Sequence, residues 1–101
     1  MRLTVRGIVG FDWDSGNWSK SELKHGVARV EAEEALLNDP LCQVDIRHSE
    51  NEQRYVALGE TLDGRGLFIA FAVRKNRVRV ISARAMSRKE RALYEKARQT
   101  K

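Results

Sequence analysis

The chain has 101 residues, 42% of them hydrophobic and 33% charged, with a single cysteine, Cys42. That length suits one hydrophobic core and excludes two domains, while the charged fraction exceeds the typical quarter or so. A lone thiol excludes an internal disulfide and a multi-thiolate zinc site and points to a reducing cytoplasm, and no apolar run approaches the roughly eighteen residues of a membrane span.

The N-terminal MRLTVRGIVG is interrupted by arginine too often for a secretory signal. The formal net charge is +5, and its distribution is uneven. Residues 1–73 hold eight basic and twelve acidic side chains, whereas residues 74–101 hold eleven and two. The C-terminal excess suits a polyanion or an acidic protein, through an attraction that weakens with salt.

In chain order, Leu3–Trp13 mixes branched and aromatic residues with glycines and predicts an extended edge or first strand. Asp14 or Ser15 caps a short helix that Gly26 ends. A second helix is expected over Arg29–Asn38, with Val30, Ala35, Leu36 and Leu37 toward the core and Asp39-Pro40 as its stop. The pattern then turns to strands at Leu41–Ile46, Arg54–Gly59, Leu67–Arg74 and Arg77–Ala83, the last two joined tightly at Lys75-Asn76. This reads as an antiparallel meander of about four strands. Ser87 and Glu90 form a capping-box pattern opening a final helix with a thin apolar stripe of Leu93 and Ala97.

The ordered motifs Phe11-Asp12-Trp13-Asp14, Lys24-His25-Gly26-Val27, Glu33-Glu34-Ala35 to Asp39-Pro40, Arg47-His48-Ser49, Glu52-Gln53-Arg54-Tyr55, Ile81-Ser82-Ala83-Arg84 and Arg88-Lys89-Glu90-Arg91 with Tyr94-Glu95 resemble the BrnT family. That family is a branch of the RelE-like ribonuclease toxins. The resemblance implies a single α+β domain over residues 1–101, with a twisted antiparallel sheet packed against N-terminal helices and a C-terminal helix. It also implies an mRNA endoribonuclease of a type II toxin–antitoxin system. The implied partner is a ribbon-helix-helix antitoxin like BrnA, through which the complex meets operator DNA and represses its own operon. Residues 1–10 extend beyond the usual pattern as an added edge strand or a misassigned start.

RNA cleavage without a metal needs a base for the 2′-hydroxyl proton, cations for the phosphorane and an acid for the leaving 5′-oxygen. An imidazole is the side-chain type suited to proton transfer at neutral pH, which makes His25 a candidate, and its neighbour Lys24 can stabilise phosphate charge or act as the base; a dipole-stabilised imidazole and a solvated lysine are the plain alternatives. Arg54 shares a strand face with Val56 and Leu58, and Glu52 either orients it or carries a proton. Arg79 and Arg84 offer the planar fork that suits phosphate. Arg88, Lys89 and Arg91 position RNA or meet the antitoxin, and Trp13 stacks on a base or completes the core. Trp18 has the same two choices, and Tyr94 is divided between packing and substrate. His48 belongs to a charged turn. The two histidines and scattered carboxylates make no metal-ligand spacing, and no phosphate-binding glycine motif or cofactor site occurs. The competing reading is a non-catalytic RNA- or protein-binding module, chiefly an antitoxin co-repressor.

Overall fold

A computed structural model of the chain describes residues 10–13, 18, 22–48 and 52–99. The elements are β1 (Gly10–Asp12), α1 (Arg29–Leu37), β2 (Leu41–Val44), β3 (Arg54–Glu60), β4 (Gly66–Arg74), β5 (Arg77–Ala85) and α2 (Arg88–Gln99). Trp18 and residues 22–25 are also helical. The expected caps Asp14 and Ser15, and the chain before Gly10, lie outside the described residues.

The sheet has five strands in the order β1-β5-β4-β3-β2. The opening segment joins as an edge strand, as its composition predicts, so the sheet has five strands where about four antiparallel ones were expected, and this strand runs parallel to β5, with Gly10 opposite Arg77 and Asp12 opposite Arg79. The remaining neighbours are antiparallel. At the β4–β5 hairpin Lys75 and Asn76 take φ of 53° and 62°. Two successive left-handed residues match the right-handed twist of the flanking strands.

Alternation along each strand sorts the side chains onto two faces. One face presents Tyr55, Ala57, Leu67, Ile69, Phe71, Val78, Val80 and Ala83, which pack with Phe11, Trp18, Val27, Ala32, Ala35 and Leu36 into the core. Helix α1 covers this face through its small residues. A methyl group on Gly59 would sit 2.7 Å from the Ala35 carbonyl oxygen, so glycine there permits the close approach. Val30 and Leu37, expected to face the core, are exposed because Ala32, Ala35 and Leu36 turn toward the sheet instead.

Helix α2 packs on the opposite face and covers only one end of it. Its N-terminus is a reciprocal capping box: the Glu90 amide donates to Ser87 Oγ at 3.2 Å, and the Ser87 amide donates to Glu90 Oε1 at 2.8 Å. Tyr94, 1% exposed, anchors the helix, and its hydroxyl accepts a hydrogen bond from Arg98 at 2.6 Å. Leu93, expected in the apolar stripe, remains 57% exposed.

Candidate nucleic-acid interface

Beyond the end covered by α2, the second sheet face carries no helix among the described residues and presents arginine in register. Arg54 lies opposite Ala72, and Ala72 opposite Arg79. With neighbouring strands about 4.8 Å apart, the two arginine backbones are about 10 Å from each other. Ala72 is fully buried between them, as expected where the aliphatic stems of flanking arginines lie over a small residue.

One row nearer the hairpin, Arg74 lies opposite Arg77 on the same face. Arg74 donates to Glu52 at 2.9 Å, and Arg77 to Asp12 at 3.5 Å. Asp12 sits beside Arg79 in register, yet its carboxylate is turned to Arg77. Among the described residues Arg79 has no ion-pair partner. Arg74 and Arg77 were not singled out from the sequence. Their signal was there in the period-two placement of Arg74, Arg77 and Arg79 across a tight hairpin.

A bulge decides where Arg84 points. Arg79 and Arg84 are an odd number of residues apart, so a regular strand would send them to opposite faces. The register shifts beside Ala70 and Phe71, leaving Ile81 as the extra residue, and Arg84 comes opposite Phe68 on the arginine face. Its guanidinium is nevertheless occupied. Nη1 and Nη2 donate to the two Glu90 carboxylate oxygens at 2.8 Å each, and the group lies 4.2 Å from the Phe68 ring centroid. The hydrogen bonds from Arg84 outweigh partial burial and hold the Glu90 carboxyl down at about 2, while Arg84 itself is shifted up.

Arg91 is similarly engaged, donating to Glu60 at 2.8 Å and Glu95 at 3.2 Å, and its pKa is raised, chiefly by the Glu60 bond. It straps α2 to β3. Arg88 and Lys89, in the first turn of α2, are exposed. Of the cations expected to handle phosphate, Arg54 and Arg79 therefore form one row, whereas Arg84 and Arg91 fasten the C-terminal helix.

Lys24 and His25 do not join that row. The carbonyl of Gly26, next to His25, accepts from Arg65 at 3.0 Å, and Val27 is buried in the core on the α1 side. Arg65 immediately precedes the Gly66 end of β4, while Arg54 and Arg79 flank Ala72 near the other end of that strand. At about 3.3 Å per residue the anchor point is roughly 20 Å away along the sheet. Arg65 also donates to Glu31, whose carboxyl is held below its ordinary value first by the Ala28 amide and then by Arg65.

Trp13, the expected base-stacking residue, is engaged from several sides. Its indole N–H donates to Glu33 at 2.8 Å, Trp18 meets it edge-on at 4.8 Å, and the Arg29 guanidinium lies over its ring at 5.5 Å. The tryptophans belong to the seam between β1 and the helical layer. Among the described residues no three His, Cys, Asp or Glu side chains gather as a metal site would require.

The family model described as the ribonuclease toxin BrnT of type II toxin–antitoxin systems matches residues 13–90. No curated protein matches the chain. The matched span contains α1, β2 to β5, the whole arginine row and the capping box of α2. The chain belongs to the BrnT family of ribonuclease toxins.

Proposed function

We propose that this chain is a metal-independent mRNA endoribonuclease whose cutting site is the row of Arg54 and Arg79 on the sheet face opposite α1. The observation that carries the reading is that row: two arginines in register on either side of a small buried residue, with backbones about 10 Å apart, a spacing that two long side chains can close on one phosphodiester. The five-stranded sheet then serves as a RelE-like platform.

In this reading the guanidiniums neutralise charge that builds on the phosphorane. Glu52, held by Arg74 at 2.9 Å, takes the proton of the attacking 2′-hydroxyl. The 2′-oxygen bonds to phosphorus, the 5′-oxygen bond breaks, and the departing oxygen takes a proton from solvent. The products are a 2′,3′-cyclic phosphate and a 5′-hydroxyl. Lys24 and His25, at the far end of the sheet, have no step in this scheme. Arg88 and Lys89 add affinity for the backbone without reading sequence.

The antitoxin implied by a type II system is proposed to be a BrnA-like ribbon-helix-helix protein that covers the basic face in the cytoplasm and brings operator DNA to the complex. The test is incubation of RNA with purified protein in excess chelator, beside an Arg54→Ala/Arg79→Ala variant. Cyclic-phosphate ends from the parent protein and at least a hundredfold fewer from the variant are expected. Intact RNA throughout would leave a non-catalytic binding module as the better reading, and metal-restored cleavage would overturn metal independence.

A further inference from the structure

Between the arginine row and α2 lies a hollow of about 370 Å³ that the scheme above does not use. Its walls are Leu41, Val56, Leu58 and Phe68 from the sheet and Leu93 from α2, with Gln43 at the side. The walls follow from the register: Gln43 pairs with Val56, Leu41 with Leu58, and Leu58 with Phe68, all on the arginine face. Val56 is two residues along β3 from Arg54, one pleat repeat of about 6.6 Å. The hollow thus begins about one nucleotide's phosphate-to-base span from the row.

We propose that this hollow receives a single nucleobase of the RNA, adjacent to the phosphate on Arg54 and Arg79. The inference rests on the proposed RNA-cleaving role and adds a specificity site to it.

Three features favour a base over other occupants. The volume lies at the small end of ligand pockets, enough for one flat ring system and too small for a helix about 10 Å across. Arg54 lies one pleat repeat beyond the Val56 wall, which puts a cation within a nucleotide's reach of the hollow, as a nucleotide requires and an apolar peptide does not. The lining is apolar, with one aromatic wall braced by the Arg84 guanidinium and with polar groups at its edge. Gln43 offers both donors and an acceptor, and Glu90 Oε2, which accepts one bond from Arg84, keeps a second lone pair, so the Watson–Crick edge of a base has partners. Leu93, 57% exposed at the mouth, is an apolar side chain that a stacked base would cover.

The test uses full-length protein and a 2′-fluoro hexanucleotide, which lacks the attacking hydroxyl and so remains intact. Each position in turn is replaced by an abasic unit, and affinity is measured for the parent protein and for Leu93→Trp, which fills the hollow from an exposed position. With the parent, one abasic position should lose about tenfold in affinity. With Leu93→Trp the intact strand should bind about tenfold more weakly, and the same abasic unit should then cost less than twofold.

Gln43→Ala is a second variant at an exposed position, and it should flatten the preference among the four bases at that position without changing the salt dependence. Abasic costs that are absent, or equal in parent and Leu93→Trp, overturn the hollow as a base site while salt-dependent binding upholds the arginine row. If no strand binds even at low salt, the RNA reading itself fails. If a peptide of the partner antitoxin binds the parent and is lost on Leu93→Trp while abasic costs are unchanged, the occupant is a protein side chain and the base proposal is overturned.

Discussion

Arg79 and Arg84 stand on the same strand and the same face, yet one has no ion-pair partner among the described residues and the other is gripped by both oxygens of Glu90. Identical side chains five positions apart therefore do different work. The bulge at Ile81 brings both to one face, and the start of α2 then removes Arg84 from use by placing a carboxylate on it. A positively charged C-terminal region is thus divided into a part without an ion-pair partner among the described residues and a part that fastens a helix.

Arg79→Ala should weaken binding to a 2′-fluoro RNA strand by about tenfold and lower the slope of log affinity against log salt by about 0.7, the signature of one lost phosphate contact to a single strand. Thermal stability should fall by less than about 1 kcal/mol, because no ion pair among the described residues is broken. Arg84→Ala should reverse the pattern. Loss of the paired bonds to Glu90 and of the contact over Phe68 should destabilise by about 1–3 kcal/mol, with the salt slope unchanged. Chemical denaturation beside a salt series separates the two variants.

Glu90 makes part of the stability depend on pH. Its carboxyl ionises at about 2 in the folded chain against an ordinary 4.5, held there first by the Arg84 hydrogen bonds and also by the Ser87 amide and hydroxyl. A depressed folded value means that the unfolded chain binds the proton more tightly, so the contribution is complete above about pH 5 and is lost as pH falls toward 2. Glu90→Gln should cost about 1–2 kcal/mol at pH 7 and almost nothing at pH 2. Urea midpoints of the two proteins that stay equally far apart from pH 7 to pH 2 would refute this assignment.

Much of this was legible in the sequence, and the limits have physical causes. Alternation in Arg54, Val56 and Leu58 places them on one face, the left-handed tolerance of Asn76 marks the hairpin, and Ser87 with Glu90 spells its own cap. Each of these depends on residues close in sequence. The phase of Arg84 depends on a bulge, which adds one residue without any compositional mark. The exposure of Val30 and Leu37 depends on which side of α1 fits closely enough over Gly59, and that is decided by a contact between residues 24 positions apart. The placement of His25 likewise follows from Arg65 reaching Gly26 across 39 positions.

The same close fit makes Gly59 a sensitive position. Gly59→Ala places a methyl group 2.7 Å from the Ala35 carbonyl and 3.3 Å from Pro40 Cβ, and the obstructing oxygen belongs to helix backbone. The helix must then lift from the sheet. Overpacking of this kind costs about 1–3 kcal/mol. Gly64→Ala, in the open β3–β4 turn where nothing lies within 4 Å of the added methyl, serves as the comparison. Its cost comes from a φ of 84° and not from crowding, so lifting of α1, read as faster amide exchange in that helix, is expected for Gly59→Ala alone.

Lys24 and His25 provide the sharpest separation between the arginine face of the sheet and the helical layer. The turn that carries them is tied at Gly26 to Arg65, about 20 Å along the sheet from Arg54 and Arg79. If phosphate is handled on the arginine row, then Lys24→Ala and His25→Gln should each leave affinity for 2′-fluoro RNA within about twofold and the salt slope within about 0.3 of the parent value. Cleavage rates should follow the same pH profile in His25→Gln as in the parent, since no imidazole then titrates in the reaction. A rate that collapses in His25→Gln with the acid or alkaline limb of the profile removed would instead make the imidazole a proton carrier. The strand would then have to span both ends of the sheet, and the arginine row would be a binding surface rather than the place where the bond breaks.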